Sequence, residues 1–146
     1  MRRLHLAIGL CTVVLFLISG QLMRHHTPPM DTLSPTLRLL HRSRHIYILM
    51  IGLVNLVLGL YMQPTLGKFR VAAQRLGSAL LLMSAGLSVV AFAVEPALGF
   101  RPDMLWSRFA LYSVFAGCVL HFFSAATFAR NVAARRAAAA SDSSHS

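Results

Sequence analysis

Four long apolar runs, separated by short stretches that carry the basic residues and most of the prolines, organise the chain. The first extends from about Leu4 to Met23, behind Arg2 and Arg3. The others cover Ile46 to Met62, Leu76 to Val94 and Phe109 to Ala129. Each approaches the roughly 20 residues that a helix needs to cross a bilayer core about 30 Å thick. No period-two alternation marks a strand. The pattern predicts an all-α chain, an integral membrane antiparallel four-helix bundle with spans at about 4–23, 46–62, 76–94 and 109–129. Residues 1–135 form its one domain, and 136–146 form a polar C-terminal tail.

Local signals refine these limits. Pro28 and Pro29 break the chain after the first run. Ser34-Pro35 then reads as a helix start, with serine as N-cap and proline at the first helical position. That helix continues through His41 and His45 into the second run and ends at Gln63-Pro64. The stretch Thr65–Arg75 reads as a loop, Glu95-Pro96 as the stop of the third helix, and Ala97–Arg108 as a loop whose Trp106 anchors at the interface. The tail stays helical through the alanines after Arg135-Arg136, and Ser141–Ser146 is expected to be disordered. A signal-peptide reading of the first run is set aside, because the run is long and lacks an A-x-A cleavage pattern.

Within each run, small and polar residues recur at mixed three- and four-residue spacing and so share one helix face. The first gives His5, Gly9, Thr12, Phe16 and Ser19; the second His41, His45, Ile48, Gly52, Asn55 and Gly59. The third gives Gly77, Leu81, Ser84, Ser88, Ala91 and Glu95; the fourth Ala110, Ser113, Gly117, His121 and Ser124. Lipid is as apolar as leucine, so spans associate through such faces. Packing alone explains most of these residues. Asn55 also needs a bonding partner across the bundle, since hydrocarbon offers its amide none.

Composition agrees with a membrane chain. Of 146 residues, 56% are hydrophobic and only 12% charged, against about 25% charged in soluble domains. The net charge of +10 does not indicate nucleic acid, because the arginines sit at the ends of apolar runs, where they meet anionic headgroups. The lipid bilayer is the partner they imply. The chain termini and the middle loop carry two, three and three Lys or Arg; the first and third loops carry four and two. This bias favours an inner-membrane, multi-pass topology with both termini cytoplasmic. Cys11 and Cys118 both lie inside apolar runs and read as small apolar filler rather than a disulfide.

The histidines carry the candidate chemistry. A rise of about 1.5 Å per residue places His45 roughly 13 Å to the outer side of its span's midpoint and His5 roughly 13 Å to the inner side of its own. The same rise puts His121 roughly 3 Å inward of the midplane, and so roughly 10 Å from the level of His5. His25, His26, His41 and His45 form an outer group. The i, i+4 pair His41 and His45 has the spacing that lets two imidazoles share copper or zinc. The plainer reading is a solvated polar face. His5 and His121, from different spans, are candidates to ligate a b-type haem, with His45 as the substitute partner. The plainer reading of His121 is a neutral histidine bonded to Ser84, Ser88 or Thr12. No catalytic motif is present: no P-loop, dinucleotide-binding turn, H-E-x-x-H or nucleophile elbow.

Arg3-Leu4-His5, Gly9, Ser19-Gly20 and Met23 together resemble the first span of bacterial membrane b-type cytochromes and small haem-handling membrane proteins. Leu40-His41-Arg42 resembles the entry to their second span. The resemblance covers about a quarter of the chain. It implies haem b as cofactor, His5 as an axial ligand with His121 as its counterpart from the fourth span, and electron transfer as the activity. Two other functions remain open: a non-catalytic membrane subunit or assembly partner that packs against another membrane protein or a second copy of itself, and a periplasm-facing metal-handling protein.

Overall fold

The computed structural model describes residues 1–25, 27–63, 67–99 and 104–143, and side chains as far as residue 125. Its elements are four helices: α1 (Arg2–Arg24), α2 (Pro35–Tyr61), α3 (Lys68–Leu98) and α4 (Leu105–Ser143). All four contain stretches long and apolar enough to cross a membrane, the fourth over Leu105–Ala125. Among the described residues there is no strand.

The start of α2 follows from Ser34-Pro35. The Ser34 hydroxyl accepts from the Leu37 amide at 3.4 Å, and Pro35 occupies the first helical position, where its missing N–H is not needed. The other helices outrun their apolar runs. α3 begins at Lys68 rather than near Leu76, because Lys68, Arg70, Ala72, Ala73, Gln74 and Arg75 are good helix formers, and polarity bounds a span but not a helix. Nor does Glu95-Pro96 stop it. Pro96 removes one hydrogen bond inside the last turn, and the helix runs on to Leu98 before Gly99 caps it at φ 72°. α4 begins one turn earlier than Phe109, at Leu105, and its backbone stays helical beyond the alanines to Ser143. The expected disorder of Ser141 to Ser143 is therefore not found, and residues 144–146 lie outside the described residues.

Close approach of backbones sets the packing. A Cβ added at Gly9 would lie 2.7 Å from the Leu56 amide nitrogen, and one at Gly59 2.7 Å from that of Leu6. Only glycine permits α1 and α2 to touch at this range. Gly77 and Gly117 do the same for α3 and α4. Pairings along α1 and α2 run in opposite senses: Arg2 meets Gly59, His5 meets Asn55, and Ser19 meets His45. The same holds for α3 and α4, where Ser78 meets His121 and Glu95 meets Ser107. A cluster of Ile51, Leu81, Ala85, Ala110 and Val114 joins α2 to that pair. The faces defined by small and polar residues turn inward: His5, Gly9, Thr12 and Ser19 of α1, and Gly77, Leu81, Ser84, Ser88, Ala91 and Glu95 of α3, are all buried. The large apolar side chains Leu10, Leu17, Leu22, Phe115 and Phe122 point outward.

Candidate histidine site between α1 and α4

Asn55 sits on the buried face of α2 and is fully enclosed. Its side-chain nitrogen approaches the carbonyl of Ile51 at 2.9 Å and that of Leu81 at 3.4 Å. A carbonyl only accepts, so the amide must donate to both, and its oxygen is left as an acceptor. That oxygen lies 2.7 Å from His5 Nδ1. His5 must therefore donate from Nδ1. In the neutral ring the proton is then on Nδ1 and the lone pair on Nε2. His5 is itself fully buried, and Nε2 has no hydrogen-bond partner. A buried acceptor without a donor is unfavourable by about 1–3 kcal/mol.

The ring of His121 packs edge-on against that of His5. The centroids of His5 and His121 are 6.1 Å apart and the planes nearly perpendicular, at 80°. The two rings are thus in contact, in place of the expected offset of roughly 10 Å in depth. The early start of α4 at Leu105 accounts for part of this, and the close packing at Gly77 and Gly117 fixes the rest. His121 Nε2 is 3.3 Å from the Ser78 hydroxyl. Ser84, Ser88 and Thr12, the partners expected for His121, instead donate to backbone carbonyls in their own helices. Ser78 was not on the face expected for α3, although its position next to Gly77 is a usable signal.

Two imidazoles that share one metal at about 2.0–2.1 Å per nitrogen have ring centres roughly 5–6.5 Å apart. The observed separation falls in that range. The donors are also arranged as ligand histidines usually are, with the far nitrogen of one held by an acceptor that fixes tautomer and ring orientation. Among the described residues α1 packs mainly on α2 and α4 mainly on α3, so His5 and His121 meet where the two pairs come together. By donor type and spacing, the two imidazoles fit a centre held by histidine ligands.

The other candidates lie at the far end of α1 and α2. His45 is half-buried, stacked on Phe16 at 4.1 Å, with Nδ1 2.9 Å from the Ser19 hydroxyl. It is far from both His5 and His121 along the helices and does not join their site. His41 and His45 share contact with the Phe92 ring, each at 6.4 Å between centroids. His25 is exposed at the C-terminal cap of α1, and His26 lies outside the described residues. Among the described residues no three His, Cys, Asp or Glu side chains are placed to hold one metal ion.

Sequence reasoning passed over one buried group. Arg44 reads as a headgroup contact, yet it points inward and forms an ion pair with Glu95 of α3. Glu95 also accepts from the Ser107 amide at 2.8 Å, and so satisfies a free N–H in the first turn of α4. Arg44 further donates to Ser43 and approaches Met104, and it lies over the Tyr47 ring. Leu40, Arg44, Ile48 and Asn55 fall on one buried face, and that spacing was available in the sequence.

No family model matches the chain, and neither a curated protein nor a solved structure shows significant similarity to it.

Proposed function

We propose that the chain is a small multi-pass inner-membrane protein, an antiparallel four-helix bundle with both termini on the cytoplasmic side, that binds a redox-active metal centre between His5 and His121. Haem b is the group that two axial imidazoles and the resemblance of the first span both favour. One observation carries the reading: the Nε2 lone pair of His5 is held unprotonated by Asn55, buried without a donor, and set beside a second imidazole.

In this reading His5 and His121 hold the iron, Asn55 orients His5, and Ser78 restrains His121. Haem b would supply a one-electron iron couple. The apolar surroundings, Ile8 and the Leu81 cluster among them, would exclude water from the site and set its potential through low polarity. Among the described residues, the charged pair Arg44 and Glu95 sits at the other end of the bundle and takes no part.

The test is a visible spectrum of the protein purified in detergent after expression with added haem. A Soret band is expected in the wild type, with loss or conversion in His5→Ala and His121→Ala. A wild-type protein with neither Soret band nor bound metal would end the proposal and leave the two histidines as packing residues.

A further inference from the structure

The register of α3 and α4 carries both helices past the hydrocarbon on the side of their basic residues. The apolar run of α3 starts at Leu76, but the helix starts at Lys68. Lys68, Phe69 and Arg70 therefore stand six to eight residues outside the run, roughly 9–12 Å at the rise of a helix. A headgroup layer is only about 5–7 Å deep on each side of the hydrocarbon. Arg2, Arg3 and Arg75 fall within that layer; Lys68, Phe69 and Arg70 lie beyond it. α4 reaches the same height. Ser78 meets His121, so Phe69, nine residues before Ser78, is level with Arg130, nine residues after His121. The α4 backbone stays helical to Ser143 and places Arg135 and Arg136 more than one turn further out.

Lys68 is exposed, Arg70 half-buried, and Phe69 86% exposed. A phenyl ring at this height meets water and not acyl chains, so lipid does not cover it. Among the described residues neither Lys68 nor Arg70 forms an ion pair. Of the chain's four acids only Asp142 belongs, by chain order, to this side. The first turn of α3 also holds no acid and no side-chain cap, so the positive end of the helix dipole is joined by two cations of the same sign. The tip thus unites Lys68, Arg70, Arg130, Arg135 and Arg136 with one uncovered aromatic ring. Arginine and aromatic side chains are what protein interfaces concentrate. A surface of one charge steers a partner of the other.

We propose that this projecting tip of α3 and α4 docks a water-soluble electron carrier with an acidic surface. That the partner carries electrons rests on the metal-centre reading; that it is an acidic soluble protein rests on the tip alone. Phe69 supplies the apolar middle of the contact, and Lys68, Arg70 and the α4 arginines supply the charge. Phe69 and Arg130 lie roughly 14 Å along the helix axes from Ser78 and His121. The far end of α1, at Arg24, lies roughly 28 Å from His5. Electron transfer slows steeply with distance, so the basic tip is the near approach to the two histidines.

Fluorescence anisotropy of a labelled plant-type ferredoxin, a small acidic one-electron carrier, tests this with the full chain in phosphatidylcholine nanodiscs. Affinity should fall as salt rises. Lys68→Glu/Arg70→Glu should weaken binding by roughly 10-fold or more, and Phe69→Ser by a similar factor with the salt dependence kept. Arg75→Gln, the Arg38→Glu/Arg42→Glu variant at the other end, and His5→Ala/His121→Ala should bind as the wild type does. Thermal unfolding identifies a variant that fails to fold; Lys68→Gln/Arg70→Gln then takes its place and should also weaken binding. Equal affinity in the wild type and the tip variants overturns the inference. So does equally tight binding of basic cytochrome c, which shows adhesion without charge selection. Loss of ferredoxin when the nanodisc contains phosphatidylglycerol assigns the tip to lipid headgroups and overturns it too. A Soret band without charge-dependent binding removes the docking alone. Charge-dependent binding without a Soret band removes the metal centre and keeps the docking of an acidic protein.

Discussion

His5 and Asn55 fix each other's hydrogen-bonding roles. Asn55 spends both amide protons on the Ile51 and Leu81 carbonyls, so its oxygen can only accept, and His5 Nδ1 can only donate. Asn55→Leu should release the His5 ring while keeping a similar volume. Any metal or haem held by His5 should then bind roughly 10–100-fold more weakly. Asn55→Asp, which can still accept from Nδ1, should retain more of the binding than Asn55→Leu does. Titration of the absorbance against added haem separates the two variants, and equal affinities would mean that Asn55 does not orient the ligand.

The glycine contacts predict a contrast within one residue type. Gly9→Ala places a methyl group against the backbone of Leu56, whereas Gly86 faces open space. Gly9→Ala should therefore lower stability by about 1–3 kcal/mol through overpacking. Gly86→Ala should be neutral or stabilising by up to about 1 kcal/mol, the difference in helix propensity. Thermal unfolding in detergent, followed by circular dichroism, measures both. A similar loss in the two variants would contradict the packing described here.

Arg44 and Glu95 should behave as a coupled pair. Removing either alone leaves a buried charge without its partner, which destabilises by about 3–5 kcal/mol. Arg44→Met and Glu95→Gln are each expected to show this. The double variant should recover much of the loss, since no charge remains buried and a glutamine oxygen can still accept from the Ser107 amide. A thermodynamic cycle from chemical unfolding gives the coupling. Simple additivity would show that the pair is not formed in the folded protein.

At the start of α2, Ser34→Ala removes the acceptor for the Leu37 amide. The expected loss is about 1 kcal/mol, typical of an N-cap serine. Ser34→Asp should restore it. Helix α2 carries Asn55 and His45, so a frayed first turn should leave the site of His5 intact and affect the end near His41 first. Hydrogen exchange of the amides between Thr36 and Leu40 reports this directly.

The sequence by itself determined four helices and the inward faces of α1 and α3. Helix periodicity groups His5 with Gly9, Thr12 and Ser19, and Gly77 with Leu81, Ser84 and Ser88, and those residues are the buried ones. Small residues must face other helices because lipid gains nothing from them, so spacing alone identifies the interface. What only the tertiary structure decided was the axial offset between helices. An offset depends on where each helix begins, and polar turns such as Lys68–Arg75 are as helical as the apolar run that follows them. One turn added at Leu105, together with backbone contact at Gly77 and Gly117, moves His121 to the level of His5. The lone costly histidine of the fourth span thereby gains a partner. The inward turn of Arg44 was also a tertiary outcome: an arginine near a span end can reach headgroups or a buried carboxylate, and only the position of Glu95 on the neighbouring helix selects between them. Proton placement on His5 came last. It needs three groups in sequence, histidine, acceptor and carbonyl, and two of the three belong to residues far apart or to the backbone, where no pattern of side chains along the chain records them.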